Sequence, residues 1–140
     1  MLKKDYIVRQ LEEFGKVLGV LMFLKKEKDW EKFEKEIATA SSTFTNIELD
    51  YVENIGLAEY SQEILVNGKV SLEQKKILAN LLFEKIDYYK LTQENEKHKK
   101  LVEKCYRLYE YLQNDQTQNE FNLEVHYRLE ILKNVRLNSS

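Results

Sequence analysis

Ser71-Leu72-Glu73-Gln74-Lys75-Lys76-Ile77-Leu78-Ala79-Asn80-Leu81-Leu82-Phe83-Glu84-Lys85-Ile86-Asp87-Tyr88-Tyr89-Lys90 is the stretch on which the fold turns. It opens on Ser71-x-x-Gln74, a capping box in which hydroxyl and amide answer orphan N–H groups of a first helical turn. At about 100° per residue, its apolar positions spread round most of the circumference. Ile77, Leu81 and Tyr88 share one face, Leu78, Leu82 and Tyr89 lie beside it, and Ala79, Phe83 and Ile86 lie beyond. Only Glu73, Lys76, Asn80, Glu84 and Asp87 form a polar sector. A helix apolar on nearly all sides needs neighbours on nearly all sides. The helix predicted over 71–90 is therefore central, with Leu78, Leu81 and Leu82 fully buried.

Working outward, helical periodicity continues on both sides. A helix over 5–25 carries Ile7, Leu11, Phe14, Leu18, Leu21 and Met22 at helical spacing. A helix over 29–44, capped by Asp29, carries Trp30, Phe33, Ile37, Ala40 and Phe44. The charged break between them is only a few residues long, which makes the two an antiparallel hairpin. Thr45-x-x-Glu48 reads as a second capping box, starting a short helix that ends near Gly56. Leu57 to Val66 reads as another, with Ile64 and Leu65 inward, and Asn67-Gly68 stops it. A helix over 92–114 presents Leu101, Val102, Cys105, Leu108, Tyr109 and Leu112. After the turn Asn114-Asp115-Gln116-Thr117, a helix over 118–137 presents Phe121, Val125, Leu129, Leu132 and Val135, with Leu123, Tyr127 and Ile131 as a second apolar flank. Ser139-Ser140 reads as a frayed end. No segment alternates as a strand would. The predicted fold is all-α: six to seven helices in antiparallel hairpins, as one domain over 1–140.

The composition agrees. One hundred and forty residues is the length of one domain, and no proline with four glycines leaves few helix breakers. Lys plus Arg number 22 against 24 Asp plus Glu, a balance without the basic excess of a nucleic-acid-binding module. The longest apolar run, Val17 to Leu24, is far short of the roughly 20 residues of a membrane span. It ends in Lys25-Lys26-Glu27-Lys28 with no signal-peptide cleavage pattern. A lone cysteine, Cys105, excludes an intramolecular disulfide and points to a reducing compartment. The expected location is the cytoplasm, and the Tyr-, Lys- and Glu-rich, Pro-free composition has a bacterial look.

The residues with chemistry in them do not converge. His98 and Cys105 stand two helical turns apart, with Glu94 before His98 and Glu130 after His126, but none of the compact zinc spacings occurs. His98 also sits within Lys97-His98-Lys99-Lys100, which opposes a cation. Leu101, Leu108 and Leu112 surround Cys105 along its helix, so the thiol reads as buried and protonated rather than nucleophilic. Lys104 and Arg107 read as pointing away from it. Gly15, Gly19, Gly56 and Gly68 form no phosphate loop. Lys97, Lys99, Lys100, Lys104 and Arg107, with Tyr106 and Tyr111 nearby, could suggest a nucleic-acid surface, but Glu94, Glu96, Glu103 and Glu110 are interleaved and cancel most of the field. No catalytic, cofactor or metal residue is assigned.

The first helix is the segment with something left over. Residues 1–28 hold seven basic and four acidic groups, net +3, which leaves −5 for the remainder. Val20 and Phe23 lie opposite the main stripe, so the last two turns are apolar all round. Gly15-x-x-x-Gly19 at the stripe's edge would let another helix approach closely. Either several helices of the chain bury this end, or Gly15, Gly19, Val20 and Phe23 mark an interface with a partner or a second copy. A membrane-surface helix fits less well, because Val20 and Phe23 blur the polar face it would need.

Asp5-Tyr6-Ile7-Val8-Arg9-Gln10-Leu11-Glu12-Glu13-Phe14 resembles the start of a group of small uncharacterised bacterial proteins, all helical and of unknown function. Leu81-Leu82-Phe83-Glu84 and Leu108-Tyr109-x-Tyr111-Leu112 are similar to later parts of the same group. The helices over 71–90 and 92–114 also resemble the two-helix unit of tetratricopeptide repeats, without its Trp, Gly and Pro positions. The resemblance implies stacked helical hairpins and no activity. The expected role is a non-enzymatic protein-interaction or scaffold protein whose partner is another protein or a second copy of the chain. The alternatives are a membrane-surface protein using helix 5–25, and a ligand binder or enzyme whose site no motif reveals.

Overall fold

Two turns of one design set the topology. In the computed structural model, which describes residues 3–115 and 123–138, α1 (Lys3–Lys26) gives way to α2 (Trp30–Thr45) at Lys28, whose φ of 59° lies in the left-handed region. The Asp29 N–H bonds back to the Leu24 carbonyl at 2.9 Å and the Lys28 N–H to that of Lys25 at 3.1 Å, the paired bonds of a Schellman cap. The break between α5 (Leu72–Leu91) and α6 (Asn95–Asn114) repeats this. Gln93 has φ 60°, Glu94 N–H bonds to Tyr89 at 2.9 Å, and Gln93 N–H to Lys90 at 3.3 Å. Each turn folds a helix back on its predecessor. With α7 (Leu123–Asn138), the long helices pack in chain order, α1 on α2, α2 on α5, α5 on α6 and α6 on α7.

Side-chain pairs fix the directions. Between α2 and α5, the Phe33 and Tyr88 rings stack at 4.8 Å and Lys85 meets Glu34 at 2.8 Å. Between α5 and α6, Lys75 lies 4.2 Å above the Tyr111 ring at one end and Lys97 lies 5.8 Å above Tyr89 at the other. Between α6 and α7, Arg128 reaches the Tyr109 hydroxyl at 2.7 Å and Arg136 reaches Glu103 at 2.8 Å. All three pairs are antiparallel. α5 is enclosed as its sequence predicts: Leu78, Leu81 and Leu82 are 0% exposed. Part of its polar sector is answered as well, Glu84 and Asp87 by Lys25 of α1 and Asn80 by Arg128 of α7.

A corner of short elements closes one flank: α3 (Leu49–Asn54), then α4 (Leu57–Tyr60) running into a π-helical turn, Ser61–Val66. Ile64 and Leu65 are buried there and Asn67 ends it. Among the described residues the fold is all-α, with seven α-helices and no strand.

Several boundaries differ from the sequence reading. Thr45 is not a cap but the last residue of α2. Its hydroxyl donates to the Ser41 carbonyl at 2.6 Å and accepts from the Ile47 N–H at 3.1 Å, so it is spent locally. Asn46, at φ 61°, caps α2, and Glu48 stands at the start of α3 with no side-chain cap bond. Gly56 begins α4 rather than ending α3, and Thr92 follows α5 rather than starting α6. By contrast, Asp29 caps α2 through the Lys32 N–H, and both halves of the Ser71/Gln74 box are made. The stripe expected on α1 is rotated: Phe14, Leu21 and Leu24 are buried, whereas Leu11 and Met22 are exposed. On α7, Val125, Leu129 and Leu132 are buried, but Leu123 and Tyr127 face outward. Residues 116 and 117 of the expected turn, Phe121, Ser139-Ser140 and the side chain of Ile7 lie outside the described residues.

Candidate functional site

The α1 sequence splits by its 3.6-residue period into two apolar faces. One, Phe14, Leu21 and Leu24 with Val17 and Leu18 beside them, packs into the core, and Phe14 meets Phe44 edge to face at 5.5 Å. Phe44 is one residue from the end of α2, so α1 continues past its partner for the eleven residues from Lys3 to Glu13. The other face carries Val8, Leu11, Gly15, Gly19, Met22 and Phe23. Four of these are large and all four are exposed: Val8 47%, Leu11 49%, Met22 59% and Phe23 60%. Val20, at 45%, lies round the helix from them. Burying such a side chain is worth about 1.5–3 kcal/mol, a gain the single chain leaves unused.

Gly15 and Gly19 sit on the exposed face. A Cβ built at either meets nothing within 4 Å, and neither has a positive φ. Nothing within the fold requires glycine there. Each costs about 0.5–1 kcal/mol relative to alanine in a helix interior. What two glycines one turn apart provide is a shallow groove that a second helix can enter closely.

A second concavity lies between the α3–α4 corner and α6. It is a half-open cleft of about 1060 Å³ whose lining includes Glu53, Tyr89, Lys97, Lys100, Lys104 and Arg136. Its deepest charges are committed to the fold. The Lys104 ammonium donates to the carbonyls of Val52 at 2.7 Å, Glu53 at 2.9 Å and Ile55 at 2.7 Å, so it caps the C-terminal end of α3. Burial pushes its pKa below the usual lysine value, which Glu53 partly offsets. The Tyr60 hydroxyl, also buried, donates to the Lys104 carbonyl at 2.7 Å. Tyr89 donates to Glu53, which also faces Lys85 at 3.4 Å. Arg136 lies 4.0 Å above the Tyr106 ring while paired to Glu103.

Lys104 is therefore spent on the fold rather than on a basic surface, and the cluster from Lys97 to Arg107 is interrupted there. Sequence reasoning missed the buried lysines Lys75, Lys85 and Lys104, because each lies on an apolar flank where a charge has no local partner. Cys105 is fully buried against the Ala79 carbonyl at 3.8 Å, and burial pushes its thiol far above the usual range. His98 is held below the usual histidine value by partial burial and by Lys90. Among the described residues, no group of three or more His, Cys, Asp or Glu side chains converges as metal ligands would. Of the predicted interface residues, the structure brings Gly15, Gly19 and Phe23 onto one face, with Met22 and Leu11, and places Val20 apart from them. No helix among the described residues is long and apolar enough to cross a membrane.

No family model, no curated protein and no solved structure matches the chain.

Proposed function

We propose that the chain is a non-enzymatic interaction or scaffold protein of the bacterial cytoplasm that binds its partner through the outer face of α1. One observation carries this reading: Gly15 and Gly19 stand in open space between four exposed apolar side chains. Stability within the chain would favour alanine at both positions and polar residues around them. A helix docking on the face accounts for both departures at once. The remaining ionic groups support it, since Lys25, Lys85, Lys104 and Arg128 are engaged in holding helices together. The buried Cys105 fits a reducing compartment. Two antiparallel hairpins, α1–α2 and α5–α6, each closed by the same Schellman turn and joined by the packing of α2 on α5, support a tetratricopeptide-like reading of the scaffold.

The test is affinity capture from the source organism with the wild-type chain, Phe23→Asp and Tyr127→Asp. Phe23 and Tyr127 are comparably exposed, on α1 and α7 respectively. A partner, of whatever identity, that is kept by Tyr127→Asp and lost by Phe23→Asp supports the reading. A partner lost equally with both, or no partner at all, overturns it.

A second reading keeps the same face but places it on a membrane surface, favoured by the net +3 of residues 1–28. Flotation with anionic vesicles separates the two: binding abolished by Phe23→Asp supports the membrane, and no flotation removes it.

A further inference from the structure

We infer that the occupant of the α1 outer face is the same face of a second copy, crossing it antiparallel with Gly15 of each chain against Gly19 of the other. This rests on the reading of that face as an interface and names its partner. The face is self-complementary in size. A two-fold axis midway between Gly15 and Gly19 sets Leu11 of one chain opposite Phe23 of the other, twice over, and lays Val8 along the aliphatic stem of Lys26. The glycines fall at the crossing, where backbones come closest and side chains would hold them apart. Isologous pairing uses Leu11, Phe23 and Val8 of both chains and lays Met22 of each beside Glu12 of the other.

The charges select the direction. Glu12 and Lys26 are both exposed and border the stripe at opposite ends. They are fourteen residues apart on one helix, about 21 Å, too far to pair within a chain. Parallel pairing would set Glu12 on Glu12 and Lys26 on Lys26. The antiparallel pairing brings Glu12 of each chain within one turn of Lys26 of the other, so opposite charges meet at both ends.

The experiment is a double-mutant cycle on self-association, read by sedimentation velocity and light scattering over a concentration series. The wild type is expected to show a concentration-dependent dimer. Glu12→Lys alone and Lys26→Glu alone should each weaken it about fivefold to tenfold, and Glu12→Lys/Lys26→Glu in one chain should restore most of the loss. Gly15→Leu/Gly19→Leu should abolish the dimer while raising helix propensity, so lost folding is not the cause. As a direct check, Leu11→Cys/Phe23→Cys should oxidise to a covalent dimer, and the buried Cys105 does not compete. A wild type that stays monomeric at every concentration overturns the self-pairing. So does a dimer that the double charge swap fails to restore, or one that Gly15→Leu/Gly19→Leu leaves intact. The interface reading is decided separately by the Phe23→Asp capture: a different protein lost there, beside a monomeric wild type, sinks the second copy and keeps the interface.

Discussion

α5 and the last turns of α1 look alike as sequence, since each is apolar round most of its circumference, yet they end in different surroundings. α5 is enclosed by α2, α6 and α1, and its few polar groups meet side chains from α1, α2 and α7. α1 packs on α2 and touches α5, and beyond those contacts its second apolar face is open. The difference teaches that an all-round apolar pattern reports the demand for neighbours and not their source. Polar residues inside the pattern help to tell the cases apart. Asn80, Glu84, Lys85 and Asp87 of α5 meet charged side chains elsewhere in the chain, whereas Glu12 and Lys26 beside the open face of α1 meet none among the described residues.

The sharpest way to break this comparison is Leu81→Ala set beside Met22→Ala. The first removes a fully buried side chain and should cost about 2–5 kcal/mol in denaturant melts. The second, at a position 59% exposed, should stay within about 0.5 kcal/mol at concentrations where the chain is monomeric. Equal losses would mean that α1 is as enclosed as α5. Lys104→Met comes next. It leaves the carbonyls of Val52, Glu53 and Ile55 without their donor, for a loss of about 1–3 kcal/mol. A neutral result would show that water caps α3 equally well. Gly15→Ala and Gly19→Ala work in the opposite direction. Each should raise the stability of the monomer by about 0.4–1 kcal/mol in thermal melts, and a loss at either would reveal a contact within the chain. The smallest effect concerns acid. Burial disfavours the charged form of Glu34, but hydrogen bonds from Lys85 and Tyr88 outweigh it and hold its pKa below the ordinary 4.5. The stability this pairing contributes is present above pH 4.5 and lost as pH falls through the lowered value. Glu34→Gln should flatten the acid limb of the stability profile, and an unchanged limb would place the titrating groups elsewhere.

Much of this was legible beforehand. The periodicity and the Ser71/Gln74 box were enough to put α5 at the centre, and the Asp29 cap and the Asn67 stop read correctly. The misreadings share a cause. Lys28, Asn46 and Gln93 adopt the left-handed conformation that usually belongs to glycine, so the helix ends beside Thr45 and Thr92 carry no glycine signal. Thr45 fits a cap pattern by type, but its hydroxyl bonds to its own helix. For the candidate surface, Gly15, Gly19 and Phe23 were visible as leftovers. That Leu11 and Met22 join them was not, because two apolar faces on one helix leave the core direction undetermined until its neighbours are known. Buried Lys104 was out of reach, since its partners are backbone carbonyls about fifty positions away.

That separation has a kinetic meaning. α3 is only six residues long, far below the length at which a helix persists alone in water. Its terminal carbonyls are met by an ammonium that α6 carries. The cap on the corner from Leu49 to Val66 is therefore complete only while α6 stands beside it. The expected outcome is that Lys104→Met speeds unfolding and barely slows refolding in stopped-flow measurements; a refolding rate that falls as much as unfolding rises would place the corner inside the folding barrier.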